Sequence, residues 1–391
     1  MPPRGDEAHP HHRSPAGPEP ILGGVIQTAE PGFRTVGQAT AQRLARHAAE
    51  RDRLGRTLLV HGPRGAGKDA FVDDLLALAF CVEADPARRP CNACRGCRDA
   101  RGRAHPDLVI GSPEAWREQR SSGESIVAVA RRWLLDAAGA PVVGERRIVL
   151  VEHADRASEQ VQNALLKALE EPTDRHTFVL VADEPSRLLP TIRSRCQSLR
   201  IGPVSRDELL GLLTDRRSLP ADQAETLATL ANGLPGLALR YADQPAVLDW
   251  RRRVQAELLA LLERGRSERL GAVGDLLDEA SRLDAPIPVA PDDEGEPGRT
   301  PAGLQRVGAA RLVEVWLGLS RDLLVAAASR SELAPSGELG PEVARLGPSI
   351  GIAPLVAMIG LLERIHDGLR ENAAPRLALE VAMLSWPQPS R

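Results

Sequence analysis

The hydrophobic pattern changes character along the chain. Up to about residue 200, short apolar runs alternate with amphipathic stretches; beyond about Val204 only helical periodicity is left. Thr57–His61 (TLLVH), Arg146–Val151 (RRIVLV) and Thr177–Ala182 (TFVLVA) read as buried strands. Between them lie predicted helices: one from after Gln38 to about Glu50, one after Lys68 carrying Phe71, Leu75, Leu76 and Leu78, and one over Ser125–Ala138. A further helix starts at Ser158 and puts Val161, Leu165, Ala168 and Leu169 on one face; Pro172 ends it after Glu170 and Glu171. Short helices punctuated by Gly and Pro follow: Asp207–Leu213, Ala221–Ala231 and one after Pro235. Long amphipathic helices such as Trp250–Arg264, Ala309–Ala327, Ile352–Asn372 and Pro375–Leu384 complete the chain, with residues 285–302 a Pro/Gly/acidic loop. The expected division is a tail at 1–20, an α/β domain at 21–203, a small helical lid at 204–246 and an all-α domain at 247–391.

Composition narrows the class. The chain has 391 residues, 42% of them hydrophobic, and no apolar run of transmembrane length. The first twenty residues, rich in Pro, His and Gly, read as a disordered tail in which His9, His11 and His12 are solvated. They lack the apolar stretch of a secretory signal, so the expected compartment is the cytoplasm. A net charge of −3 argues against a strongly basic nucleic-acid binder. Only Lys68 and Lys167 among the 50 basic residues are lysines, and each stands inside a motif.

The first motif is Gly62-Pro63-Arg64-Gly65-Ala66-Gly67-Lys68-Asp69, between a predicted strand and a predicted helix. That is the setting of a phosphate-binding loop: Gly62, Gly65 and Gly67 let backbone N–H groups turn toward a phosphate, the helix N-terminus adds partial positive charge, and Lys68 reaches the β- and γ-phosphates. Asp69 departs from it, standing where the motif wants a Mg²⁺-binding hydroxyl and bringing negative charge to a triphosphate. Two readings stand, a weakened nucleotide site and a turn that only joins strand to helix. The second motif is Cys81, Cys91, Cys94 and Cys97 on a Pro- and Gly-containing loop. Four thiolates so close suit a structural, tetrahedral Zn²⁺, and the compartment disfavours disulfides; iron–sulfur ligation is the alternative, against which the fourth cysteine lies upstream and no Cys-Pro follows.

Several stretches together resemble the AAA+ clamp-loader ATPases: Phe33-Arg34-Thr35-Val36-Gly37-Gln38, the Cys module followed by His105-Pro106-Asp107, Leu165–Pro172 (LLKALEEP) and Ser194-Arg195-Cys196. The resemblance covers about Phe33–Gly236 and is positional beyond. It implies an AAA+ P-loop nucleotide domain with an inserted zinc module, then a lid and a collar that holds subunits in a ring. It also locates four departures. Asp69 is one. His153 stands in the box Glu152-His153-Ala154-Asp155, where a motor has Asp then Glu. Ala182 has no side-chain donor where a sensor would sit, and Gly236 takes the place of a second sensor arginine, with Arg240 one turn on. Together they imply poor ATP hydrolysis.

Arg195 stands in an intact motif, which in the family reaches into a neighbour's ATP site as an arginine finger; guanidinium suits phosphate oxygens because it is always charged and forked. Local ion pairing of Arg195, or use of Arg193 instead, are the alternatives. The implied role is a non-hydrolysing clamp-loader subunit of a DNA polymerase III holoenzyme. Its implied partners are the gamma/tau and delta subunits, the sliding clamp and, through the complex, primed DNA, with no membrane. An active gamma/tau-type motor and a zinc-stabilised adaptor on a retired P-loop fold are the competing readings.

Overall fold

The computed structural model describes residues 31–50, 56–170, 175–283, 301–329, 339–370 and 373–389. Helix α1 (Ala39–Glu50) leads to β1 (Thr57–His61), α2 (Lys68–Ala79), α3 (Arg95–Arg101), β2 (Leu108–Gly111), α4 (Pro113–Glu118) and α5 (Ile126–Ala137). Strand β3 (Arg147–Val151), α6 (Glu159–Glu170), β4 (His176–Ala182), α7 (Pro190–Arg193) and β5 (Gln197–Arg200) follow. The five strands form one parallel sheet in the order β2-β3-β4-β1-β5. Thr57 lies opposite Phe178, Arg147 opposite His176, and Leu58 opposite Gln197.

The sheet is covered on both faces, which is why its inner strands are apolar throughout. Leu58, Val60, Ile148, Leu150, Val179 and Val181 meet α1 and α2 on one side. Leu59, Val149, Val151, Phe178 and Leu180 meet α5 and α6 on the other. The predicted α6 stripe is real: Val161, Leu165 and Leu169 are buried while Lys167 is exposed. Pro172, the predicted stop, lies outside the described residues, as do the whole tail at 1–20 with its histidines and residues 285–300 of the predicted loop. Pro301 already opens a helix, so the Ala309 start falls inside it.

Strands β2 and β5 were not expected. They are the sheet edges, only four residues each, and β5 buries only Leu199. β5 (QSLR) has one neighbour and little apolar demand, so it carries no readable pattern, whereas β2 (LVIG) is apolar but too short to stand out as a strand.

Helices α8 (Arg206–Asp215), α9 (Ala221–Ala231) and α10 (Pro235–Asp243) share a separate small core around Leu209, Leu227 and Tyr241. Ser205 and Glu208 close a reciprocal capping box at the start of α8. Helices α11 (Pro245–Leu262), α12 (Arg266–Arg282), α13 (Pro301–Ala327), α14 (Gly340–Ile350), α15 (Ile352–Arg370) and α16 (Pro375–Leu384) bury the largest core, which includes Leu258, Leu319 and Leu362. Trp316 and Trp386 meet edge to face in it, ring centroids 5.2 Å apart. No single helix among the described residues is long and apolar enough to cross a membrane.

Candidate functional site: a P-loop closed by its own side chains

The site lies where the carboxyl ends of β3, β4 and β1 meet, the edge at which parallel α/β sheets bind ligands. Strand β1 delivers the chain to Gly62. A Cβ there would stand 1.8 Å from the Ile201 carbonyl oxygen, so no other residue fits the turn. Gly65 and Gly67 have φ of +83° and +94°, which glycine adopts without steric cost. Gly67 caps α2 without a side-chain hydrogen bond.

Lys68 follows and is buried. Its ammonium donates to the carbonyls of Gly62 at 2.9 Å and Pro63 at 3.0 Å, and pairs with Asp183 Oδ1 at 2.7 Å. An ammonium has three donors, and all three are taken by the protein. Both side chains of the ion pair are 8% exposed. Arg156 approaches the other Asp183 oxygen at 3.5 Å. Burial works against the Asp183 carboxylate, but the hydrogen bond and charge of Lys68, with Arg156 behind, outweigh it and hold its pKa below the usual value. Helix α10 closes the loop from the lid side: the Gly236 N–H donates to the Gly65 carbonyl at 2.8 Å. A Cβ at Gly236 would stand 3.1 Å from that oxygen, so the place expected for a sensor arginine is a tight backbone contact with the loop.

The other departures have structural partners too. Asp69 is exposed on the first turn of α2. Glu152, just past β3, is held by Arg103, which also bonds Asp73 of α2 at 3.0 Å. A guanidinium thus occupies the acid that a metal would need. His153 adopts φ +50° at the opening of a short 3₁₀ turn. Asp155 is buried and accepts the Glu184 N–H at 2.9 Å, joining the turns after β3 and β4. Ala182 is buried in the core. Arg240 is half-buried and lies within electrostatic reach of Tyr241, Arg311 and Glu314.

The four cysteines come together. Their sulfurs lie within 4.8 Å of one another, with Cys91 and Cys97 4.0 Å apart. Zinc–thiolate bonds of about 2.3 Å place tetrahedral sulfurs roughly 3.8 Å apart, so the donor set fits a four-coordinate soft metal. The N–H groups of Cys91, Cys94 and Cys97 point at the sulfurs of Cys81, Cys91 and Cys94 at 3.3–3.4 Å. Burial opposes the Cys91 thiolate, yet the N–H groups of Cys94 and Ala93 and the thiols of Cys94 and Cys81 bring its pKa to about 7, while burial pushes Cys97 up. The segment is not all loop, as the sequence had suggested: Cys94 caps α3, and Gly96 and Cys97 lie on it. Gly96 packs so close that a Cβ would stand 2.1 Å from the Phe80 carbonyl oxygen.

Asp74, missed by the sequence reading, ties this module to the loop. It is fully buried on α2 and accepts from the N–H groups of Arg34 (2.9 Å) and Thr35 (2.7 Å), the Thr35 hydroxyl and Arg101 at 2.7 Å. Its signal was present: it follows Phe71 by three residues and precedes Leu78 by four, on the buried face. Asp107 is the second such anchor, fully buried and accepting from the N–H groups of Val142, Val143 and Gly144.

Arg195 sits just past α7. It pairs with Glu170 at 3.0 Å and donates to the Thr191 carbonyl at 3.0 Å, its side chain 40% exposed. Arg193 is exposed as well, and Cys196 is half-buried, with its thiol pushed up to about 11 by burial. The structure keeps Arg195 apart from the Lys68 group: none of its bonds reaches the P-loop.

Residues 37–205 match the family model described as DNA polymerase III, delta subunit. The chain is 30% identical over 200 residues to DNA polymerase III subunit delta' of Bacillus subtilis, covering 50% of this chain and 57% of that protein. It is 34% identical over 194 residues to the delta' subunit of Pseudomonas aeruginosa, covering 48% and 55%. DNA polymerase III subunit tau of Bacillus subtilis is 24% identical over 364 residues, 91% of this chain and 61% of the relative. The chain therefore spans little more than half the length of the delta' relatives it matches. Over residues 37–205 the chain is thus similar to the DNA polymerase III delta-subunit family, and delta' subunits are among its relatives at 30–34% identity over about half of its length.

Proposed function

We propose that the chain is a delta'-type stator of a bacterial clamp loader. It turns over no ATP itself, donates Arg195 to the ATP site of an adjacent gamma/tau-type subunit, and helps place the sliding clamp on primed DNA. The observation that carries this reading is the contrast between two cations. Lys68 is buried and consumed by three internal acceptors, whereas Arg195 stands exposed, paired with Glu170 at the surface and donating to the Thr191 carbonyl. A surface pair of this kind contributes about 0–1 kcal/mol, so a triphosphate can recruit the guanidinium with little loss. A trans arginine raises NTPase rates by ~10³–10⁵.

The AAA+ architecture, with lid and collar, gives such a finger a ring to act in. Zn²⁺ at Cys81, Cys91, Cys94 and Cys97 would fix the segment that carries Arg101 and Arg103, and the delta and gamma/tau subunits would be the direct partners, in the cytoplasm. The test is clamp- and DNA-stimulated ATPase of the reconstituted loader with wild-type chain or Arg195→Ala. Turnover falling by two orders of magnitude with assembly intact supports the role, and an unchanged rate refutes it. The tau relative spans 91% of the chain, which keeps a motor subunit as the second reading; ATP hydrolysis by the isolated wild-type chain would favour it.

A further inference from the structure

We infer that Asp183 is a built-in anion that takes the place of a nucleotide's β- and γ-phosphates, and that this residue sets the loop's refusal of polyphosphates. The inference rests on the reading above that the loop is not a working ATPase, and goes further by naming the group responsible. A P-loop lysine needs an anionic partner, because a buried ammonium without one is strongly destabilising. Here that partner comes from the chain. Asp183, the first residue past β4, meets Lys68 at 2.7 Å with both side chains almost closed to solvent. The Gly62 and Pro63 carbonyls complete the ammonium's three acceptors.

Asp183 is itself held from two sides, by Lys68 and by Arg156, and Arg156 is steadied by Glu114 at 3.2 Å. A triphosphate entering the loop must detach Lys68 from Asp183 and then sit against a carboxylate that has lost its partner. Asp69 is a weaker obstacle because it is exposed and solvated. Gly67 has open space where a Cβ would be, so the backbone cradle is not filled at that point. Asp183 and Lys68 thus form a closed internal pair that keeps the loop folded without ligand. Removal of the carboxylate leaves a cradle and a cation with no anion to bind.

The test uses the full chain as wild type, Asp183→Ala, Asp183→Asn and the double variant Asp183→Ala/Lys68→Ala. Binding of ATP, ADP and inorganic pyrophosphate is measured by titration calorimetry, with the ligand-dependent shift in melting temperature as a second readout. The expected result is no saturable binding by wild type at millimolar ligand and a gain of at least about tenfold in affinity for Asp183→Ala. The gain should be smaller for Asp183→Asn and lost in the double variant. Asp183→Asn keeps the shape of the side chain and carries the test if the alanine variant melts early. A folded Asp183→Ala that still binds nothing overturns the inference and assigns the refusal to the Gly65–Gly236 contact. Equal binding by wild type and Asp183→Ala without hydrolysis also overturns it, while leaving the stator reading in place. Hydrolysis by wild type defeats both the inference and the stator reading.

Discussion

Asp74→Ala is the substitution whose cost can be worked out most directly. The carboxylate is fully buried and satisfies four donors: the N–H groups of Arg34 and Thr35, the Thr35 hydroxyl and the Arg101 guanidinium. Truncation leaves the two N–H groups and the hydroxyl without an acceptor, each worth about 1–3 kcal/mol when buried. Arg101 keeps Asn92 Oδ1, to which it donates through Nε at 2.9 Å and Nη2 at 2.7 Å, so its loss is partial. These terms overlap, and removing one member of a buried pair costs about 3–5 kcal/mol in practice. We take ~4 kcal/mol, a large part of a typical domain's 5–15 kcal/mol. With a urea m-value of about 2–3 kcal/mol/M, the transition of the sheet region should move down by roughly 1.5 M. Trp116 and Trp133, packed together with centroids 5.3 Å apart beside that sheet, report it by fluorescence once Trp250, Trp316 and Trp386 are replaced by phenylalanine. Asp74→Asn retains one acceptor oxygen and should recover part of the loss. A midpoint for Asp74→Ala within about 0.3 M of the parent would refute the assignment of Asp74 as the anchor between the residue 31–38 strap, α2 and the Cys module.

Three further outcomes are expected. Zinc analysis of purified chain should give one metal per molecule; because such a site contributes on the order of 10 kcal/mol, a strong chelator or Cys94→Ser should sharply lower the melting temperature of the sheet region, and a metal-free chain with an unchanged melt would contradict this. Gly62→Ala should cost more than about 3 kcal/mol, since its Cβ meets backbone 1.8 Å away and not a side chain that can turn aside; a soluble variant with a near-parental urea midpoint would count against it. Asp183 has a folded pKa below its ordinary value, so its stabilising effect is complete above the unfolded pKa of about 3.9 and fades as pH falls through the lower folded value. The stability gap between wild type and Asp183→Asn should therefore be constant from pH 5 to 7 and shrink toward pH 3, and a gap independent of pH would exclude the ion pair as its source.

Much of this protein was legible from sequence because its signals are local. Strands β1, β3 and β4 are apolar because both sheet faces are covered, and α6 shows its stripe because one face alone is buried. The glycines of the loop answer to a turn that other residues cannot adopt, and the cysteines gather within one short stretch. The edge strands escaped for two reasons: β5 is not obliged to be apolar at an edge, and β2, though apolar, is only four residues long.

What only the tertiary structure decided is how charges far apart in the chain are matched. Lys68 meets Asp183, Arg103 meets Glu152, Asp74 meets Arg34, Thr35 and Arg101, and Gly236 meets Gly65. The sequence showed Ala182 and Gly236 as missing sensors, whereas the fold makes Asp183 the partner of Lys68 and Gly236 a close backbone contact of Gly65. Periodicity records whether a position is buried. It does not record which buried charge will neutralise which, because that depends on how parallel strands separated by whole helices come into register. That pairing turns a recognisable P-loop into a closed one.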